Sequence, residues 1–307
     1  NTNGEGLFPT SEVNDIISVI DEGRVDIDIA GPHINIRSEK GISFDIPTEP
    51  FQEYPDMPEN KHEALFTIET NKLKDIISSL LYAINAEPTK PALNGAYFNF
   101  DQACIDFVAT DGHRLVKITK QNETNIQKGF IIPKKYLNIL NTFLEGQKET
   151  SLIFSENHVF SNNGKDVFYS KIIDEKFPNY NAVIPSENSE KLTAQKTEML
   201  NNIKAASIAT NKNTNQISLN FSEGKVYFKS VNQPESKTVH APVKTAEYQG
   251  EELAIGFNAT YLKEAVSKYP SEDMILTFKD ANSAVLLLPK ETDQKTIILL
   301  MPVRINE

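Results

Sequence analysis

A chain of 307 residues with a single cysteine, Cys104, can build two or three domains but cannot form an intramolecular disulfide. Its formal net charge of −11 argues against a simple DNA-binding protein, because such proteins usually carry a basic surface. No apolar run approaches the roughly 18 residues of a membrane span and no signal-peptide pattern opens the sequence, so we expect a cytoplasmic protein without membrane contacts.

The first predicted elements, a helix near residues 10–22 and an alternating strand in "GRVDIDIAG", return later in the chain. The segment "LFPTSEVNDIISVIDEGRVDIDI" from Leu7 matches "IIPKKYLNILNTFLEGQKETSLIF" from Ile131 in its order of prolines, helical pattern, Glu-Gly and strand. Pro9 and Pro133 lie 124 residues apart, and a third copy starts at Ile255. A period of this length indicates a repeated domain.

The other half of the period repeats more faintly. The segment "LFTIETNKLKDIISSLLYAI" from Leu65 resembles "KLTAQKTEMLNNIKAASIAT" from Lys191, and paired strands follow both. Each full unit therefore predicts the order β-α-β-β-β, twice over, in an α+β fold. We assign residues 1–60 to the second half of a first repeat, 61–184 to a second repeat and 185–307 to a third. By the period, about 60 residues of the first repeat are expected to precede the sequence.

The predicted helices carry one apolar stripe and one polar face. Leu73, Ile76, Ile77 and Leu80 recur at helical spacing, as do Leu137 and Leu140, so each helix is expected to lie on a sheet. The helix near residues 10–22 has only acidic charges, whereas the four later helices lean basic. Two interpretations remain open from charge alone: ordinary solvated helix faces, or faces that converge on one polyanion.

The stretch "FVATDGHRLVKI" concentrates Asp111, His113 and Arg114 around Gly112, directly after a predicted strand. A catalytic acid–base cluster is one interpretation. However, the sequence has no Gly-x-Ser-x-Gly elbow and no phosphate-binding glycine loop, and its five histidines lack metal-ligand spacing. The alternative is a tight turn at the rim of a partner-binding surface, with donors from His113 and Arg114 beside apolar neighbours.

Four segments, "VATDGHRL", "GFNATYL", "KFPNYNAVIP" and the terminal "MPVRI", occur in an order and spacing that resemble the bacterial DNA polymerase III beta subunit family, the sliding clamps. The resemblance covers the whole chain. It implies three pseudo-equivalent domains per subunit, with the first only half present here, and a head-to-tail homodimeric ring with helices lining the hole and sheets outside. It also implies a non-catalytic processivity factor without metal or cofactor.

The same resemblance implies the partners: duplex DNA bound without sequence preference, a second copy of the chain, and the replicative polymerase, clamp loader and repair proteins through short clamp-binding peptides. The peptides would enter a groove between the second and third repeats. The implied groove residues are Leu93, Thr110, Gly112, His113, Arg114, Leu115, Pro178, Val183, Asn258, Tyr261, Ala284, Leu299, Met301, Pro302, Val303, Arg304 and Ile305. For Val183 and Leu299 taken singly, simple packing is the better interpretation.

Two further sets follow from the resemblance. The DNA-facing lysines would be Lys72, Lys74, Lys90, Lys134, Lys135, Lys196, Lys204, Lys263 and Lys268. The dimer contact would join Phe44 and Ile46 of the first repeat to Ile208 and Ala209 of the third. Ala182 and Asn282 depart from the family pattern in the groove, and Pro91-Ala92 stands where some members have tyrosines, which puts stacking on single-stranded DNA in doubt.

Two other classes of protein stay open at this point: an enzyme that uses the Asp-His-Arg turn, and a scaffold of repeated domains that does not bind DNA. Replacing His113 would separate the first from a clamp, because a clamp would lose partner binding and have no turnover to lose. Topological loading on nicked circular DNA would separate the second.

Overall fold

The computed structural model describes residues 6–20, 23–49, 54, 56–58, 64–212, 214–222, 224–289 and 295–305. The chain divides into two compact units, residues 1–59 and 60–307. None of the helices in the described ranges combines the length and apolar character that crossing a membrane requires.

The first unit consists of one helix and a three-stranded antiparallel sheet in the order β1-β2-β3. Its elements are α1 (Thr10–Val19), β1 (Val25–Ala30), β2 (His33–Ser38) and β3 (Ser43–Pro47). Four isoleucines, Ile16 of the helix with Ile34, Ile36 and Ile46 of the sheet, form its small core. The alternation of apolar and polar residues along β2 and β3 places these side chains on one face of the sheet.

The second unit begins with the second repeat, which has the predicted order β-α-β-β-β twice over. Its elements are β4 (Ala64–Glu69), α2 (Thr70–Leu80), β5 (Gly95–Phe100), β6 (Cys104–Thr110), β7 (Arg114–Gln121), β8 (Gly129–Pro133), α3 (Lys134–Phe143), β9 (Glu149–Phe154), β10 (His158–Asn162) and β11 (Val167–Lys171). The apolar stripes predicted for α2 and α3 are buried.

The third repeat has the same order, with one additional two-residue strand. Its elements are β12 (Glu190–Gln195), α4 (Lys196–Ser207), β13 (Gln216–Ser222), β14 (Lys225–Asn232), β15 (Lys237–Pro242), β16 (Glu247–Tyr248), β17 (Leu253–Asn258), α5 (Ala259–Lys268), β18 (Asp273–Phe278), β19 (Val285–Leu287) and β20 (Lys295–Leu300). The predicted α+β fold of repeated units is confirmed.

Three sheets carry the strands of the second unit. Two have four strands, in the orders β11-β10-β9-β4 and β15-β14-β13-β17, and the third has nine strands in the order β16-β12-β18-β19-β20-β7-β6-β5-β8. The nine-stranded sheet runs through both repeats because β20 pairs antiparallel with β7, from Lys295 opposite Thr119 to Leu300 opposite Arg114. The junction between the repeats is therefore a continuous hydrogen-bonded sheet. The assigned boundary at residues 184 and 185 stays a prediction.

The segment between β11 and β12, residues 172–189, is the connector between the two repeats. It contains one 3-10 turn, Tyr180–Val183. Phe177 and Tyr180 are buried in a separate apolar cluster on the face of the nine-stranded sheet that carries Val108 and Leu115. The connector thus crosses the sheet near the β7–β20 junction, where the candidate site lies.

Candidate functional site

The turn between β6 and β7 is built by its own polar side chains. Asp111 Oδ1 accepts the backbone N–H groups of His113 at 2.9 Å and Arg114 at 3.0 Å, and the Thr110 hydroxyl donates to the carbonyl of Arg114 at 2.7 Å. Gly112 has a φ of 92°, a conformation that favours glycine. Because Asp111 is committed to closing the turn, the geometry supports a structural turn and gives no support to an acid–base role for its carboxylate.

Arg114 does not rim a pocket, because its guanidinium points into the protein. The side chain is 9% exposed, its Nε donates to Asp111 Oδ2 at 2.9 Å, and its Nη1 donates to Glu264 of α5. The guanidinium also lies 5.1 Å from the ring centroid of Tyr82 and 4.4 Å from that of Tyr261. Two of the guanidinium nitrogens thus join the second repeat to the third, and the expectation that Arg114 also bonds a ligand's polar groups stays a prediction.

The charges around Arg114 keep it protonated. Burial acts to lower the pKa of the guanidinium, but the hydrogen bond to Glu264 and the charge of Asp111 outweigh burial and leave the pKa raised. Burial also raises the pKa of the neighbouring Tyr82 phenol, so Tyr82 stays neutral. Tyr82 and Glu264 were not among the residues predicted from the sequence, because their contact with Arg114 depends on elements far apart in the chain.

The C-terminal segment, residues 301–305, is held by both repeats. Met301 N–H donates to the carbonyl of His113 at 2.9 Å, and Val303 N–H donates to that of Gly256 at 2.8 Å. The Gln216 amide donates to the Arg304 carbonyl at 2.9 Å. These bonds fix a segment whose apolar side chains remain open to solvent: Met301, Val303 and Ile305 are 42%, 37% and 40% exposed.

Gly256 is a residue of this site that the sequence interpretation missed. A Cβ atom at this position would lie 2.3 Å from the carbonyl oxygen of Val303 and 3.0 Å from Ile305 Cγ1. Only glycine therefore allows the C-terminal segment to approach β17 so closely. The available signal was a glycine inside an otherwise regular strand pattern, which often marks a close backbone approach.

The connector carries two other predicted groove residues, Pro178 and Val183. Phe177 and Tyr180 are buried, whereas Pro178 is exposed and Val183 is 54% exposed. The ring of Phe177 stacks on Tyr97 of β5, with centroids 4.8 Å apart and planes 8° apart. Phe177 and Tyr180 are thus buried, while Pro178 and Val183 remain open to solvent.

The predicted groove residues fall into three classes of exposure. Eight are exposed: Gly112, His113, Pro178, Val183, Met301, Val303, Arg304 and Ile305. Five are half-buried: Leu93, Asn258, Tyr261, Ala284 and Pro302. Four are buried, namely Thr110, Arg114, Leu115 and Leu299, so these support the surface from below and do not line it. Asn258 also caps α5, accepting the N–H groups of Thr260 and Tyr261.

His113 lies at the centre of this surface. Its ring is exposed and stacks on Tyr261, with centroids 5.9 Å apart and planes 27° apart. A separate cleft of about 690 Å³ lies between β4 and residues 123–130, and none of the predicted groove residues lines it. The groove between the second and third repeats therefore stays a prediction, and what the structure gives is which of its residues are exposed.

The predicted DNA-facing lysines divide into two groups. Lys134 donates at 3.0 Å to the carbonyl of Ile84, which ends the 3-10 turn Leu81–Ala83 after α2. Lys196 donates at 2.6 Å to the carbonyl of Tyr269, at the C-terminal end of α5. Lys268 reaches Ser78 of α2 at 2.7 Å, across the repeat junction. Lys134 and Lys196 thus have structural partners, which weakens their assignment to DNA.

The remaining lysines of the set lie at the surface. Lys72 is exposed and pairs with Glu69 at 3.2 Å, and Lys74 is half-buried. The other exposed members are Lys90, Lys135, Lys204 and Lys263. Of these, Lys135, Lys204 and Lys263 stand on α3, α4 and α5, which makes them the best candidates for contact with a polyanion.

The four predicted dimer residues behave differently from one another. Ile208, at the end of α4, is 76% exposed, whereas Ala209 is 1% exposed. Ile46 is 7% exposed in the core of the first unit and Phe44 packs against that core. Ala209 and Ile46 are thus buried within their own units and Ile208 is exposed, while the dimer contact itself stays a prediction.

Comparisons with known proteins agree with this architecture. Residues 67–179 match the family described as "DNA polymerase III beta subunit, central domain" and residues 181–304 match "DNA polymerase III beta subunit, C-terminal domain". The chain is 28% identical to the beta sliding clamp of Treponema pallidum over 252 residues, covering 81% of this chain and 68% of the relative. It is 26% identical to that of Pseudomonas aeruginosa, covering 98% and 82%.

A solved structure gives the same result in three dimensions. The crystal structure of the DNA polymerase III subunit beta from Pseudomonas aeruginosa superposes with a TM-score of 0.85 at 25% identity. The match covers 99% of this chain and 83% of that chain. The two family matches meet at residues 179–181, inside the connector between the two repeats.

Proposed function

This chain belongs to the family of bacterial DNA polymerase III beta subunits, and we propose that it tethers its partners to DNA through the groove at the junction of the second and third repeats. It is a processivity factor and a non-catalytic subunit. Tethering raises the local concentration of a bound polymerase at its template without any new chemical step. The observation that carries the proposal is the set of exposed apolar side chains on the connector, which joins the two repeats, and on the C-terminal segment.

The groove suits an extended peptide with apolar anchors. Val183 of the connector and Met301, Val303 and Ile305 of the C-terminal segment are exposed apolar side chains. The backbone N–H groups of Met301 and Val303 are hydrogen-bonded, which fastens the segment. Such preformed apolar pockets accept leucine or phenylalanine side chains at little conformational cost. The stacked His113 ring supplies a polar atom at the rim. The partners that fit are proteins with short, extended, apolar-anchored segments, with the replicative polymerase first among them.

Two copies of the chain would form a closed ring if their repeats paired with each other as the second and third repeats pair within one chain, through edge strands. Each repeat consists of two β-α-β-β-β halves, or half-units. β7 and β15 are the last strands of equivalent half-units in the second and third repeats, and β20 pairs with β7. β3 is the last strand of the half-unit that corresponds to the one ending in β20. We therefore propose that β15 pairs with β3 of a second copy, in a head-to-tail dimer with two such contacts.

DNA would be held loosely inside such a ring. The exposed lysines Lys135, Lys204 and Lys263 stand on helices of a chain whose net charge is −11, so the attraction to phosphate is local and modest. Few phosphate contacts give weak, sequence-independent binding, and topological closure supplies the retention. Weak contacts also leave the ring free to slide.

The test of the groove is a peptide titration. A labelled extended peptide from the replicative polymerase, with leucine and phenylalanine anchors, is titrated against the intact protein and a variant truncated after Pro302. We expect micromolar binding, about −8 kcal/mol, and at least a tenfold loss on truncation, about 1.4 kcal/mol. Oligomeric state is measured in parallel and should not change. Equal affinity of both proteins would remove the C-terminal segment from the site.

A further inference from the structure

The outer face of the second repeat carries a buried polar network that the groove itself does not explain. Asp106 of β6 lies opposite Asn99 of β5 and Thr119 of β7 in the strand register. Its chain neighbours Ile105 and Phe107 point to the helices and belong to the main core. The carboxylate therefore points to the opposite face, which the connector covers.

Three donors bind this carboxylate, and both of its oxygens have a partner. Thr119 donates to Oδ1 at 2.6 Å, while the Tyr180 hydroxyl donates to Oδ2 at 2.8 Å and Lys117 Nζ pairs with Oδ2 at 2.9 Å. Asp106 is 6% exposed and the Lys117 side chain 15% exposed. Removing a carboxylate from water costs several kcal/mol unless it is paired and hydrogen-bonded, so this geometry is tightly specified.

Two consecutive connector residues are held by the network. The Tyr180 hydroxyl accepts from Asn99 Nδ2 at 3.1 Å while it donates to Asp106. Lys117 Nζ donates to Asn181 Oδ1 at 3.0 Å and lies 5.2 Å from the Tyr180 ring centroid. Burial and the hydrogen bond to Asp106 raise the pKa of Tyr180, which keeps its hydroxyl protonated as a donor.

The third repeat lacks this buried carboxylate at the equivalent position. The segment "QISLNFSEGKVYFKSV" aligns with "GAYFNFDQACIDFVAT" and places Tyr227 where the second repeat has Asp106. Tyr227 stacks on the His240 ring, with centroids 4.0 Å apart. The buried carboxylate thus occurs in the repeat whose outer face carries the connector, and an aromatic pair replaces it in the other.

We propose that Asp106 and Tyr180 are positioning residues for the peptide groove: they lock the connector so that Pro178 and Val183 present a preformed wall. This inference rests on the proposed peptide groove. Tyr180 begins the 3-10 turn that ends at Val183, and it is buried while Val183 is exposed, so a shift of the tyrosine moves the wall. The ligand touches neither Asp106 nor Tyr180; the network reduces the cost of ordering the wall on binding.

The test compares two variants with a matched control. Asp106→Asn removes the charge at constant size, and Tyr180→Phe removes one hydroxyl while it keeps the ring packed. Ser230→Ala is the control, because it removes a buried hydroxyl that donates to the Ala206 carbonyl at 2.6 Å, far from the connector. All are titrated with the labelled polymerase peptide, and backbone deuterium uptake is measured over residues 172–189.

We expect Asp106→Asn to weaken the peptide about tenfold and Tyr180→Phe about fivefold, with faster exchange in the connector for both. Ser230→Ala should leave peptide affinity and connector exchange unchanged. If Asp106→Asn does not fold, as judged by circular dichroism, Tyr180→Phe alone decides the result.

Three outcomes would overturn the inference: unchanged affinity in the folded variants, lower affinity without faster connector exchange, or an equal loss in Ser230→Ala. The failure of the proposed function looks different, because the unmodified protein would then not bind the peptide at all.

Discussion

The strands β7 and β15 occupy the same place in two equivalent half-units, but only β7 is covered. β20 pairs along the free side of β7, whereas β15 ends its sheet. The residues at the ends of the preceding helices differ accordingly. Tyr82 is half-buried against the Arg114 guanidinium, and Ile208, its counterpart 126 residues later, is 76% exposed.

A half-unit by itself therefore leaves the outer edge of its last strand without a hydrogen-bonded partner strand. An uncovered edge strand beside a large exposed apolar side chain is a liability that proteins remove by pairing or by covering the edge. The chain removes it once, at the junction of its second and third repeats. Covering β15 in the same way requires a strand from another molecule, and we propose that this strand is β3 of a second copy.

The largest expected effect comes from breaking the covered junction at its centre. Arg114→Met leaves Asp111 and Glu264 without their shared cation, so the free energy of unfolding should fall by about 3 kcal/mol. Chemical denaturation followed by circular dichroism measures the change. Arg304→Met, at an exposed arginine of the C-terminal segment, is the control and should change stability by less than about 0.5 kcal/mol. Equal midpoints for both variants would show that Arg114 does not hold the junction.

A charge at the uncovered counterpart should prevent assembly. Ile208→Lys would bury an unpaired ammonium in the proposed dimer contact, and we expect the dimer dissociation constant to rise at least a hundredfold, about 2.7 kcal/mol. Sedimentation over a concentration series measures this constant. Ile139→Lys, which replaces a 44% exposed isoleucine on α3, should not affect it. A dimer that survives Ile208→Lys would place the contact elsewhere.

A smaller effect is expected from loosening the C-terminal segment beside the covered junction. The Cβ of Gly256→Ala would meet the Val303 carbonyl at 2.3 Å, so the segment must move away from β17. Affinity for the labelled polymerase peptide should fall about tenfold, or 1.4 kcal/mol, with the dimer intact. Ser218→Ala changes the residue paired with Gly256 and should bind the peptide normally. Normal binding by Gly256→Ala would mean that the close approach is not required.

The smallest effect concerns lysines on the helices of the two repeats. Lys135→Glu combined with Lys204→Glu should shorten retention on nicked circular DNA about threefold, with a salt slope well below that of a protein making ~10 phosphate contacts. Lys225→Glu with Lys229→Glu reverses two exposed charges on β14 and serves as the control. A steep salt slope, or equal loss in the control, would contradict DNA contact through the helices.

Much of the fold could be predicted because its signals are local. The apolar stripe of α2, with Leu73, Ile76 and Ile77, and the recurrence of the same pattern 126 residues later identify the repeat without any tertiary information. The quoted motifs also led to the family. The groove residues were named from the resemblance and stay a prediction, and which of their side chains face solvent could not be foreseen from the sequence.

What the sequence determined by itself is thus the order of elements, the repeat and the family, since hydrophobic periodicity and turn residues act within a few positions of one another. Only the tertiary structure decided which side chains are buried and which distant residues they contact. Arg114 meets Glu264 across 150 positions, and Lys134 and Lys196 cap helices that begin elsewhere in the chain. Burial of Ala209 and the close approach at Gly256 likewise depend on which part of the distant chain packs alongside. A local sequence pattern does not specify that neighbour.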